Sequence, residues 1–304
     1  MNTLFNKLIL KTSEYLLSNN IKVMILGISG GIDSTVCAAI CHEVSKQTGI
    51  PLFGRSLPTH NNKKGETSTA DLVGFAFCSN YREVKIDLAY RKLAYSITFP
   101  EGLISETAPF TFDGVSPKQT PLANGNIQAR LRMIYLYNLA SVYKGIVIDT
   151  DNLTEHNLGY WTLHGDVGDF NPIGGLWKTE VFELAEWIFN KYKNSDHNDL
   201  TKAEAVWASL QLKPTAGLGI TNNDLEEIGA ESYKQVDKVL KDILQWKDEV
   251  VNPTFENYMK DYRDSEVPFD DISIEVVENI AKRHFSSEFK RKRLPVKIER
   301  IDLQ

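Results

Sequence analysis

The feature that most restricts how this chain can fold lies near its start. An apolar run, residues 21–28, stops at Ser29-Gly30-Gly31 and opens directly into Ile32-Asp33-Ser34 and a segment with Val36, Ala39, Ile40 and Val44 on one face. A buried strand, a glycine turn and an amphipathic helix make the first half of a βαβ unit, and Asp33 or Ser34 is expected to cap the helix. The alternation then repeats. Strands are expected over 51–57, 84–88 and 145–149, and helices over 66–77 and 128–143. A Gly-, Pro-, Ser- and Thr-rich loop is expected over 98–124. Strands alternating with helices predict an α/β fold, a parallel sheet with helices on both faces. An opening amphipathic helix carries Leu4, Phe5, Leu8, Ile9, Tyr15 and Leu16. Past Trp161 come loops bearing Gly165, Gly168, Gly174 and Gly175. Helices follow over 179–192 and 223–246, and an exposed polar loop falls at 191–202. No repeat or low-complexity linker interrupts the chain, so residues 1–304 read as one domain.

Composition narrows the function classes. The 304 residues are 42% hydrophobic and 24% charged, enough for a substantial core. A net charge of -6 argues against a general nucleic-acid or membrane-surface binder. Three cysteines are too few for a disulfide framework and point to a reducing compartment. Cys37 and Cys41 share one helix face. No partners follow at zinc-site spacing, so core packing is favoured over a metal pair. No signal-peptide or membrane-length apolar run is present, and a cytoplasmic protein is expected.

The glycine turn carries chemistry as well as topology. Glycines between strand and helix let backbone N–H groups approach phosphate oxygens, and the helix N-terminus favours the anion. Ser29 and Ser34 add hydroxyl donors at the two ends. Asp33 is unsuited to touching phosphate directly but suited to a phosphate-bound Mg²⁺. The turn is neither a Walker A loop nor a Gly-x-Gly-x-x-Gly fingerprint. The bland alternative is a tight turn with ordinary helix caps.

Ser-Gly-Gly-x-Asp-Ser after a strand resembles the pyrophosphate loop of the N-type ATP pyrophosphatases, which cleave ATP to AMP and pyrophosphate. That resemblance implies a Rossmann-like, adenine nucleotide alpha hydrolase-like fold. Later blocks are similar to the NAD synthetase family in its ammonia-dependent form, and they occur in the family's order over residues 5–297. Asn126-Ile127-Gln128-Ala129-Arg130-Leu131-Arg132 matches its Asn-x-x-Ala-Arg-x-Arg helix, which implies Arg130 in the dinucleotide pocket. Thr150-Asp151-Asn152-Leu153-Thr154-Glu155 matches Gly-Thr-Asp-x-x-x-Glu, with Asp149 where glycine is usual. It implies Thr150 on ATP and Glu155 sharing Mg²⁺ with Asp33. Gly159-Tyr160-Trp161-Thr162, Gly165-Asp166, Asp169-Phe170-Asn171-Pro172 and Lys178 form the most specific block. They imply Tyr160 and Asp169 on the substrate and Lys178 on the phosphates, with Asp33 and Lys178 as the catalytic pair. Asp166 and Asp169 lie one residue closer than in the commonest bacterial form. Lys213-Pro214-Thr215-Ala216-Gly217 implies Thr215 as a phosphate contact, with Gly217 in place of an acid. Glu227-Ile228-Gly229 and Tyr233 match a helix read as structural. Glu288-Phe289-Lys290-Arg291 implies Lys290 on the substrate in a basic lid, with Phe289 in place of histidine. Ser56 stands where the family has the arginine of an Arg-Leu-Pro adenine segment, and Arg55 is one place out of register.

The resemblance implies amidation of deamido-NAD by ammonia through an adenylate, with ATP and Mg²⁺, in a homodimer. No amidase domain precedes the motif, so free ammonia is the expected nitrogen donor. Two other readings stay open: another adenylating enzyme of the superfamily, such as a tRNA-modifying one, and a nucleotide-binding homologue without turnover.

Overall fold

The structure is a computed structural model that describes residues 1–59, 62, 64–98, 121–195, 199–213, 223–265, 269 and 271–291. Its first elements are α1 (Asn2–Ser18), β1 (Met24–Gly27), α2 (Ile32–Thr48), β2 (Leu52–Ser56), α3 (Lys64–Phe77), β3 (Asn80–Glu83) and α4 (Asp87–Thr98). Then come α5 (Pro121–Tyr143), β4 (Ile146–Ile148), α6 (Leu153–Leu158), α7 (Lys178–Lys193) and α8 (Leu200–Leu210). The last are α9 (Asp224–Ile228), α10 (Tyr233–Glu249), α11 (Phe255–Asp264), α12 (Ile274–Ser286) and α13 (Glu288–Arg291).

Two compact units emerge. The first holds residues 1–152 and 161–224, the second residues 153–160 and 225–304. Neither boundary coincides with a composition break, so the sequence shows no cut there.

The first unit is built on four parallel strands in the order β3-β2-β1-β4. Strand periodicity decides its layers, because alternate side chains point to opposite faces. Met24, Leu26, Leu52, Ile146 and Ile148 face one core with Val36, Ile40 and Val44 of α2, Val181, Leu184 and Ile188 of α7, and Phe5 of α1. Val23, Ile25 and Val147 face the other, against Met133, Leu136 and Ala140 of α5. Both faces are covered, as the apolar strands require. Cys37 and Cys41 sit in the first core as free thiols, and burial raises both. In the second unit α6 packs on α10 and α12, with Val236, Leu240, Ile243 and Ile280 buried.

Several expected boundaries move. The third strand is Asn80–Glu83, not 84–88. Ladder bonding with β2 fixes it, closing with Val84 N donating to Ser56 O at 2.8 Å. Ile86 is instead a buried anchor ahead of α4. Residues 121–124, expected in a loop, already belong to α5, which begins at a proline, a residue well suited to a first turn. The rest of that loop, 99–120, lies outside the described residues. The expected helix over 223–246 is two helices, parted where Gly229 takes φ +77°. Ser232 then caps α10 by accepting from Gln235 N. The polar segment 191–202 is loop only in part: α7 reaches Lys193 and α8 begins at Leu200.

Candidate active site

All four strands run the same way, so the segments leaving their C-terminal ends gather at one edge of the sheet. Between β1 and β4 the strand order reverses, and that crevice is where open α/β sheets bind ligands. The glycine turn leaves β1 and Thr150 follows β4. Ser56 ends β2 and is buried.

The turn itself is tightly specified. Gly30 has φ +86°, and a Cβ there would lie 2.5 Å from Glu66 O and 2.8 Å from Ala70 N of α3. Ser29 Oγ lies 3.0 Å from Ser34 Oγ and accepts from Gly31 N at 3.2 Å. The expected cap is corrected here. Gly31 occupies the N-cap position with no side-chain hydrogen bond, and Asp33 is the second helical residue. The first turn of α2 therefore keeps backbone N–H groups that no side-chain cap satisfies, the arrangement that suits a phosphate.

Beside it lies the central pair. Lys178, the first residue of α7, donates from Nζ to Asp33 Oδ2 at 2.6 Å and is only 2% exposed. Asn152, fully buried, donates from Nδ2 to Asp33 Oδ1 at 2.9 Å. Asn152 was not singled out in the sequence; its only signal is a polar side chain just past a strand's C-terminal end. Asn171 Nδ2 donates to Asp151 O at 2.7 Å and so fixes the segment leading into Asn152. Asp149, standing in place of the usual glycine, accepts Asp151 N at 2.9 Å. Burial pushes its carboxyl upward against the pull of backbone N–H groups from Asp151, Gly168 and Thr150.

Other candidates are placed as follows. Arg130 is exposed and donates from Nε to Leu163 O at 3.2 Å, whereas Arg132 is bonded to Leu57 O and Asn62 Oδ1. Burial lowers the Arg132 guanidinium. Asp169 accepts Tyr137 Oη at 2.9 Å and Val147 N at 3.1 Å, so both its oxygens brace the outer edge of β4. Arg55 is buried and donates to Gly54 O and Asn80 O, which confines it to sheet packing. Thr215 and Gly217 lie outside the described residues.

In the second unit Glu155 sits in the first turn of α6. Tyr160 donates to Glu227 at 2.8 Å and lies 4.6 Å from the Arg283 guanidinium, which itself holds Glu227 at 2.9 Å. Glu227, read as structural, accepts the Tyr160 hydroxyl and so helps to orient it. Lys290 Nζ donates to Gly159 O at 2.6 Å, and Arg291 Nη1 to Asn157 O at 2.8 Å. Here these two cations cap the carbonyl end of α6, a favourable place for positive charge. Residues 292–297, the rest of the expected lid, lie outside the described residues.

Donor chemistry at Asp33 fits Mg²⁺, a hard cation commonly held by one or two carboxylates together with substrate phosphates. Among the described residues no group of three or more His, Cys, Asp or Glu side chains forms a ready-made metal cage.

A sequence profile of the NAD synthase family matches residues 4–294. The chain belongs to the NAD synthase family. Ammonia-dependent NAD synthetases are similar to it. The one from Thermoplasma acidophilum is 33% identical over 225 residues, 73% of this chain and 78% of that protein. The one from Methanosarcina acetivorans is 32% identical over 276 residues, 90% of this chain and 88% of that protein. Among solved structures, the NMN synthetase of Francisella tularensis superposes with a TM-score of 0.70 at 27% identity, covering 96% of each chain. The ammonia-dependent NAD synthetase of Campylobacter jejuni gives 0.64 at 23%, covering 98% of this chain and 99% of that one, and shares the fold. The fold is thus the Rossmann-like adenine nucleotide alpha hydrolase fold of NAD synthases. The protein is a ligase of NAD synthesis, forming a C–N bond. Among the described residues no helix is long and apolar enough to cross a membrane.

Proposed function

We propose that this protein amidates deamido-NAD with ammonia at the expense of ATP, through an adenylate. The observation that carries the reading is the buried Lys178 paired with a partly exposed Asp33 at 2.6 Å, beside a glycine turn whose helix has no side-chain cap. A nicotinate carboxylate oxygen attacks the α-phosphorus of ATP, the bond to the bridging oxygen breaks, and pyrophosphate leaves. Ammonia then attacks the acyl carbon, AMP departs with its oxygen, and a proton is lost from nitrogen to give the amide. The turn's N–H groups, Ser29 and Ser34 donate to the departing phosphates, and Thr150 contacts the nucleotide. Lys178 carries positive charge toward the same oxygens. Mg²⁺, held by Asp33 and Glu155, would neutralise phosphate charge. Arg130, Tyr160, Asp169 and Lys290 are assigned to the dinucleotide, Ser56 to the adenine side and Thr215 to phosphate. The chain's main work is to align reactants and keep water from the adenylate.

Incubation with ATP, MgCl₂, ammonium and deamido-NAD is expected to yield NAD and AMP in equal amounts. Folded protein that yields neither would refute the reading. The superposition on the Francisella NMN synthetase favours a second reading in which nicotinate mononucleotide is the acceptor. Parallel assays decide between them, since the preferred acceptor shows the larger kcat/KM. A cytoplasmic homodimer completes the proposal. Exposed Ile134 and Val142 of α5 and Leu10 of α1 supply apolar surface for a second copy, and light scattering would give twice the 34.4 kDa chain mass.

A further inference from the structure

Asp33 and Lys178 both open helices, yet only one suits its position. A carboxylate in the first turn of α2 is favoured by the helix dipole, and an ammonium at the start of α7 is not. Helix α7 takes its own N-terminal support from Glu180, which accepts Trp177 N at 2.8 Å. The Lys178 side chain is thus placed for a target outside its helix, and its ammonium reaches that target at 2.6 Å. The lysine side chain is 2% exposed, whereas Asp33 is 17% exposed. Asn152, fully buried, fixes the other carboxylate oxygen. Asp33 is therefore already neutralised and oriented by two buried side chains, and it retains an open edge.

A divalent cation on that open edge would stand a few ångströms from the lysine ammonium, and the two would repel strongly in so poorly hydrated a place. Nucleotide phosphates remove the conflict by giving the ammonium further anionic oxygens. We propose that Lys178 is the internal counter-cation of Asp33. It holds the carboxylate against a free divalent cation until nucleotide phosphates arrive, so cation and nucleotide bind as a unit. Asn152 is the positioning residue that keeps the carboxylate aimed during the exchange. The proposal rests on the reading of Asp33 as a Mg²⁺ ligand.

The test is direct binding of Mn²⁺, followed by electron paramagnetic resonance, to the full-length protein with and without ATP and with no acceptor substrate. Wild-type protein is expected to bind Mn²⁺ at least tenfold more weakly without ATP than with it. Lys178→Met is expected to bind Mn²⁺ without ATP at least tenfold more tightly than wild type, with the ATP effect largely lost. If removing the ammonium unfolds the chain, Lys178→Gln keeps a neutral donor to Asp33 and is expected to show the same gain. Asn152→Ala, assayed as folded protein, is expected to weaken Mn²⁺ binding in the presence of ATP about tenfold, with Asn152→His restoring part of it. Folded Lys178 variants that bind free Mn²⁺ no more tightly than wild type would overturn the proposal. Asp33→Asn that still binds Mn²⁺ would instead overturn the metal assignment beneath it. The wild-type product assay reports on the amidation reading independently of both.

Discussion

Gly30→Ala tests whether the glycine turn is held by backbone geometry or only by local preference. Gly30 has φ +86°, and its missing Cβ would sit 2.5 Å from a carbonyl oxygen and 2.8 Å from an amide nitrogen of α3. Placing an L-residue in the left-handed region costs roughly 1–2 kcal/mol. Pushing backbone atoms out of sub-van der Waals contact adds about 1–3 kcal/mol, because neither Glu66 O nor Ala70 N can swing away as a side-chain end would. Together the change should destabilise the first unit by about 3 kcal/mol, or roughly 6–12 °C in melting temperature for a body of this size. The neighbour is the control. Gly31 has φ -69° and ψ 164°, open to any residue, and its added Cβ would meet only Ser29 Oγ at 3.3 Å. Gly31→Ala should cost about 1 kcal/mol or less. Urea titrations of both variants, followed by tryptophan fluorescence, measure the difference. Equal midpoints for the two would refute the claim that approach to α3 dictates glycine at position 30.

Two further outcomes follow from the second unit. His284 is buried, and its Nδ1 must donate to the Asn157 carbonyl at 2.9 Å, so Nδ1 carries a proton. Burial, together with the charges of Arg291 and Lys247, pushes its pKa down to about 3. A depressed folded pKa means that the unfolded chain takes up the proton first. The stabilisation is complete above about pH 6.5 and falls as the pH drops towards 3, by about 1 kcal/mol between pH 6.5 and 5.5. His42 and His156 are lowered too, so the measurement is the difference in unfolding free energy between wild type and His284→Asn across that window. A difference that stays flat with pH would contradict the assignment. Thr154, fully buried, donates to the buried Asp237 carboxylate. Thr154→Val removes that donor from a buried anion and should cost about 2–3 kcal/mol; a melting temperature within a degree of wild type would count against it.

Much of the first unit was legible in order of residues. The glycine turn, three of the four strands and the helix carrying Arg130 follow from apolar periodicity and turn chemistry, which act within a few residues. Errors came where a short apolar run had two uses. Val84 and Ile86 read as strand, yet the ladder closes at Val84 and Ile86 anchors the approach to α4. The break at Gly229 was readable in principle, since Ser232 and Gln235 mark a new cap, but continuous helical periodicity obscured it.

The sequence by itself determined that a glycine turn between strand and helix opens α2 and that the chain carries the motifs of the NAD synthase family, a family of amide-forming ligases. Only the tertiary structure decided how those residues are used. Lys178 reaches Asp33 across 145 positions of sequence, and Asn152 does so across 119. Those meetings depend on β4 lying next to β1, a matter of strand order that no local pattern encodes. The same holds for Asp169, whose carboxylate braces β4, and for Lys290 and Arg291, which cap α6. Local preferences act through neighbouring backbone and side chains, whereas the partner of a charge is set by what folding brings within a few ångströms of it.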